Sequence, residues 1–133
     1  RNSVFKCNSS SGYAFSTSSY TVDTELSNCT FINKDGPAFG GTVVGSQVPV
    51  VKNCAAYSAN STAFSGSIDA ASDYNAGSDT TAPGSNSVDN ITTADFNDYA
   101  NDDYSPSSTS DLIGAGTDLS GTFTDDIAGN TRS

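Results

Sequence analysis

The 133-residue sequence predicts an all-β fold of the solenoid kind, on three observations. Segments beginning near Asn2, Asn28 and Asn53 repeat one another, the last two at a spacing of 25 residues. The copies carry no apolar stripe at helical spacing; β-branched and aromatic residues instead alternate with small polar ones. Ser, Thr, Asn, Asp and Gly dominate the remainder and favour turns over helix, while apolar residues make up only 35% and imply a thin core.

The repeat is clearest in "NCTFINKDGPAF" (Asn28–Phe39) and "NCAAYSANSTAF" (Asn53–Phe64). Anchored on Asn28 and Asn53, the matched columns are Leu26 with Val51, Cys29 with Cys54, Phe39 with Phe64, and Val43 with Ile68. A third copy, "RNSVFKCNSSSGYAF", places Asn2 in the Asn column, Ser3 in the Cys column and Phe5 opposite Phe31. A two-residue insertion then brings Phe15 into the Phe39 column. Leucine-rich repeats have a similar length but need several Leu per copy, which this chain lacks. Coils of short strands remain.

Within each copy, Leu26 and Cys29 are both expected to face inward although they are three residues apart. A strand of period two does this only by turning a corner at Ser27-Asn28. Asn is the non-glycine residue that best tolerates the left-handed conformation of such a corner. Asn2, Asn28 and Asn53 are therefore expected to stack at one corner and pass amide hydrogen bonds along it. Cys29 and Cys54 would sit one strand spacing apart, about 4.8 Å, and point inward. A disulfide is conceivable there, but in-register parallel neighbours seldom suit one, and a buried pair of thiols acting as small hydrophobes is the favoured reading. Cys7 falls opposite Asn33 and leaves the chain with an odd cysteine.

After Ile68 the pattern loosens. The stretch Ser72–Ser87 reads as one more coil, with Asn75 in the Asn column and Asp73 where an apolar residue is expected. Nine of the fifteen acids lie between Asp89 and Asp126, in a stretch without the period. It reads as an irregular capping segment over or alongside the last coils, anchored by Phe96, Tyr99, Tyr104, Leu112 and Ile113. Coils thus occupy residues 1–90 and the cap residues 91–133 of the same domain.

The "NSVFKC", "NCTFIN" and degenerate "NCAAYS" copies resemble the repeat of right-handed parallel β-helix proteins of the pectate-lyase-like superfamily. That resemblance implies a single-stranded right-handed parallel β-helix of about three to four coils of ~25 residues. The ending "DLIGAGTD…DIAGNTR" is similar to the closing segment of β-helix proteins of phage structures and bacterial surfaces. The resemblance implies a structural and recognition module of an extracellular or virion appendage, such as a phage fibre or an adhesin, that binds a glycan or a surface. Two alternatives stay open: the C-terminal part of a polysaccharide lyase or glycosidase with catalytic coils upstream, and a filament subunit stacking end to end.

Charge and chemistry narrow these classes. A net charge of −10 repels phosphate backbones, so no nucleic-acid partner is expected. The chain has no His, which removes the usual general base and the commonest metal ligand, and no cofactor or metal is expected. No stretch approaches the length of a membrane span. Asp23 and Glu25 share a strand face and form the best local carboxylate pair, with Tyr20 near enough to stack on a sugar; a solvated acidic face is the simpler account of them. "NDYANDDY" and "DDIAGN" carry oxygen ligands at short spacing but match no calcium loop. Four sequons (Asn8, Asn28, Asn60, Asn90) are easily met by chance in such a composition. The first coil is expected to have its open end covered, by other protein subunits or by the rest of a parent chain, because solenoids need caps and bare edges pair with other chains.

Overall fold

The fold is seen in a computed structural model that describes residues 1–17, 24–41, 48–125, 129 and 131. It is built of strands, with two single-turn 3-10 segments at Thr93–Asp95 and Tyr99–Asn101. Three parallel sheets hold the repeats. The first contains β1 (Val4–Cys7), β4 (Thr30–Asn33), β7 (Ala55–Ser58) and β9 (Ala76–Gly77), in that order. The second contains β2 (Phe15–Ser16), β5 (Phe39–Gly41) and β8 (Phe64–Gly66), and the third pairs β3 (Glu25–Ser27) with β6 (Val50–Lys52). An antiparallel hairpin of β10 (Phe96–Asp98) and β11 (Asp103–Pro106) lies in the C-terminal segment.

The register follows the sequence columns. Phe5 pairs with Phe31, Leu26 with Val51, and Phe15, Phe39 and Phe64 succeed one another. Aligned rings fill the interior: Phe5 stacks on Phe31 at 5.6 Å, Phe15 on Phe39 at 6.1 Å, and Phe31 meets Phe39 at 5.1 Å. Phe31 and Phe39 are wholly buried, each contributing about 2–3 kcal/mol of transfer free energy. Leu26, Cys29, Val51, Cys54 and Ala56 belong to the same core. Val43 lies outside the described residues.

The corners explain how both Leu26 and Cys29 reach that core. Asn2, Asn28 and Asn53 have φ of 50°, 53° and 52°, the left-handed region that costs most side chains about 1–2 kcal/mol. Asn53 donates its amide to the Thr117 carbonyl and accepts from the Thr117 N–H, while the Asn2 amide donates to the Asp125 carbonyl. These amides thus tie the corner to the C-terminal segment.

A corner turns the following N–H inward, where no backbone acceptor waits. The next column supplies one from a side chain. Cys29 N–H bonds the Cys54 sulfur at 3.3 Å, and Cys54 N–H bonds the Asn75 Oδ1 at 3.0 Å. The position after each Asn therefore holds a small residue with a heteroatom, because an unpaired buried N–H costs about 1–3 kcal/mol.

The fourth repeat differs from the expectation by one residue. Ala55 pairs with Ala76, so the corner is Tyr74, at φ 56°, and Asn75 occupies the cysteine column rather than the Asn column. This repeat follows its predecessor at 21 residues, not 25, with a bridge from Lys52 to Asp73. Its inward side chains are polar because they end the stack. Ser72 Oγ accepts from Val51 N–H, Ser78 Oγ from Ser58, Asp79 Oδ2 from Ala63 and Thr81 Oγ1 from Phe64. Asn75 also donates to the Val51 and Pro83 carbonyls.

The C-terminal segment lies against the outer face of the four-stranded sheet and runs past several repeats, rather than over the last ones alone. Ile32, Ala76, Ile91, Phe96 and Tyr104 form a second buried cluster there, with Tyr57, Tyr99 and Leu112 packed against it. Ile113, expected among the anchors, is 60% exposed. It follows Leu112 in a tight turn that sends one side chain inward and the next outward. No helix among the described residues is long and apolar enough to cross a membrane.

Candidate functional site

The outer face of the sheet changes character along the stack. Ile32 and Tyr57 are covered by the aromatic cluster, but the equivalent position in the first repeat is Lys6, paired in register with Ile32. Here the C-terminal segment stands off, leaving a groove of about 660 Å3. The groove is lined by Ser3, Val4 and Lys6 of the first repeat, by Asn28 and Thr30 of the second, and by Asp102–Pro106 of the C-terminal segment. Val4 is 46% exposed in it, so the groove combines an apolar strip with polar rims. A cavity of about 280 Å3 shares Thr30, Tyr104 and Pro106 with it and is also lined by Cys29 and Cys54.

The geometry of β11 sets the groove's charge. Asp102 has φ 67°, ending the Tyr99–Asn101 turn, and projects its carboxylate to Lys6, whose Nζ lies 2.6 Å from both oxygens. Tyr104 donates its hydroxyl to the same carboxylate at 2.8 Å. The Lys6 bond, followed by that of Tyr104, holds Asp102 below the usual carboxylate range. Burial first, then its bond to Asp102, pushes the Tyr104 hydroxyl up. Asp103 accepts from the Ser105 hydroxyl and N–H and from Asn97, and these bonds hold it down as well. Asp73, Asp95 and Asp118 are likewise depressed. A general acid needs the opposite shift, so these carboxylates serve as ionised acceptors.

Of the residues expected to form a binding face, Tyr20 and Asp23 lie outside the described residues. Glu25 opens β3, is exposed, and accepts from the Ser27 hydroxyl at 3.3 Å; it lines neither the groove nor the adjoining cavity. Within "NDYANDDY" the carboxylates turn to different partners: Asp98 to Asn101, Asp102 to Lys6, and Asp103 to Asn97 and Ser105. Among the described residues no three His, Cys, Asp or Glu side chains gather as metal ligands do. The Lys6–Asp102 pair escapes sequence reading because its members are 96 residues apart and Lys6 does not share the apolar chemistry of its register partner Ile32, while Tyr104 is expected only as an anchor.

Comparison with known proteins adds no relative: no family model matches the chain, and neither the curated proteins nor the solved structures contain a match.

Proposed function

We propose that the chain is a single-stranded right-handed parallel β-helix serving as a structural and recognition module of an extracellular or virion appendage. Its contact surface for a glycan, or for another surface ligand, is the groove between β1 and β11. The observation that carries this reading is where the polar groups are spent. Asn33, Ser58, Ser72 and Asn75 are buried and hydrogen-bonded to the turns and rungs of the stack. The described carboxylates with displaced pKa values are all held ionised. Such a molecule is organised for stiffness and contact rather than for proton transfer.

In-register pairing of Phe15, Phe39 and Phe64, and of Leu26 with Val51, supports the coil assignment. The groove suits an oligosaccharide in that it presents ionic and hydroxyl groups beside an apolar strip. A partner subunit, or further coils of a parent chain, would occupy the end formed by β1, β2 and β3, which are edge strands of their sheets.

Titration of isotope-labelled protein with neutral and acidic oligosaccharides tests the recognition role. The expected result is a set of chemical-shift changes at Ser3, Val4, Lys6, Thr30 and Asp103–Ser105, weakened by Lys6→Ala. Shifts elsewhere, or none with either sugar class, reject the groove as the contact surface. Cleavage of the sugar would instead favour the polysaccharide-degrading alternative.

A further inference from the structure

Cys29 and Cys54 are more than two small hydrophobes in one column. Both are buried free thiols, at 2% exposure each. They occupy adjacent rungs of the same parallel pair, one position before Thr30 and Ala55, which are register partners. Neighbouring strands place such residues about 4.8 Å apart, inside the Cα separation of about 4.4–6.8 Å that disulfides span. The Cys29 N–H points at the Cys54 sulfur at 3.3 Å, which brings that sulfur against the Cys29 backbone.

We propose that Cys29 and Cys54 are a redox-active pair that closes to a disulfide within the folded stack and ties the second repeat to the third. This rests on the register of β4 and β7 and is independent of the function proposed above. The two thiols are not equivalent. Interaction with the neighbouring Cys54 side chain outweighs burial and brings Cys29 down to about 6, whereas burial pushes Cys54 up. Cys29 is therefore the thiolate that attacks and Cys54 the thiol that resolves.

With hydrogen peroxide as oxidant, the Cys29 thiolate attacks one peroxide oxygen, the O–O bond breaks, and hydroxide leaves as Cys29 becomes a sulfenic acid. The Cys54 sulfur then displaces the sulfenic hydroxyl, and its proton completes a water molecule. In sum, two thiols and one peroxide give one disulfide and two waters. Cys7 stands outside this chemistry, since it pairs in register with Asn33, in a different column.

The test uses the full chain carrying Cys7→Ser, so that only the pair can react. Substoichiometric peroxide is added to the native protein, which is then unfolded and its thiols counted. The expected product has lost two hydrogens in mass, has zero titratable thiols instead of two, remains monomeric, keeps the native circular dichroism and melts at a higher temperature. In Cys7→Ser/Cys54→Ser, a dione nucleophile is expected to trap the sulfenic acid on Cys29. Thiols that survive oxidation, links formed only between molecules, or a disulfide that appears only with loss of native structure would each overturn the proposal. Trapping at Cys54 in Cys7→Ser/Cys29→Ser, with none at Cys29, would overturn the assignment of roles.

Discussion

The two ends of the stack are built differently. At the C-terminal end the rung that would follow is replaced by side chains: Ser72, Asn75, Ser78, Asp79 and Thr81 present oxygens to the N–H groups of Val51, Cys54, Ser58, Ala63 and Phe64. At the N-terminal end, β1, β2 and β3 are edge strands, Phe5 and Phe15 are half-buried, and Val4 is exposed. One end is satisfied by side-chain acceptors that the fourth repeat presents to the third. The other keeps the apolar and backbone character of the interior. A repeat array ends by exchanging backbone acceptors for side-chain ones, not merely by stopping.

The sharpest way to break this contrast is Asn75→Ala. It strips the acceptor from Cys54 N–H and the donor from the Val51 and Pro83 carbonyls, at a site 1% exposed. A loss of about 3 kcal/mol in urea unfolding is expected. Phe5→Ala at the opposite end should cost less, about 2 kcal/mol, because that ring is already half in water. If Phe5→Ala costs more than Asn75→Ala, the polar cap is not what completes the stack.

Between the ends, Cys54 separates packing from acceptance. Cys54→Ala leaves the Cys29 N–H without its sulfur and should lose about 2 kcal/mol. Cys54→Ser keeps an acceptor there and should lose about 1 kcal/mol, although serine is the more polar residue. The reverse order in thermal or urea unfolding would reduce the column to a hydrophobic one.

The C-terminal segment supplies a pH-dependent contribution. Burial raises the Asp95 carboxyl, but the N–H groups of Thr92 and Asp111 and the hydroxyls of Ser110 and Thr92 together hold it below the ordinary carboxylate range. A group depressed in the folded state stabilises it above its unfolded pKa, and that stability is lost as pH falls through the folded value. Acidification through and below the ordinary carboxylate range should therefore loosen the segment, seen as a change in tyrosine fluorescence from Tyr57, Tyr99 and Tyr104. Asp95→Asn should remove most of that transition. Smallest of all, Lys6→Ala breaks the half-exposed pair with Asp102 and should cost under about 1 kcal/mol, less still in high salt.

The interior rungs were legible in the sequence because their inward positions repeat the same chemistry at a fixed spacing. The Asn corners, the Phe columns and the inward Cys29 and Cys54 all occupy the columns that the repeat defines. The fourth repeat was misaligned for the reason that makes it a cap. Its inward residues Ser72 and Asn75 are polar, so a search for apolar columns passes over them and shifts the corner from Tyr74 to Asn75. A glycine column was also missed. Gly41 and Gly66 are register partners, and a Cβ on Gly66 would collide with the Gly41 carbonyl oxygen. Asn33, which bridges Ser9, Gly12 and Pro37 from a wholly buried site, carries no pattern of its own, since Cys7 and Ser58 fill its column in the neighbouring repeats. The groove was illegible because it joins Lys6 to Asp102 across nearly the whole chain.

The acceptor column running through Cys29, Cys54 and Asn75 has a consequence for how such a molecule changes length. Cys54 and Asn75 each serve the N–H of the repeat before, so the third and fourth repeats arrive carrying the group their predecessor requires. Duplicating a whole unit between Asn53 and Tyr74 preserves that hand-over, whereas gaining or losing part of one breaks it. Asn75 then reads as a terminator: its amide takes the last hand-over and returns its own hydrogens to Val51 and Pro83. The stack can be lengthened in whole steps behind a fixed terminus, and its length is set by how many units precede that one asparagine.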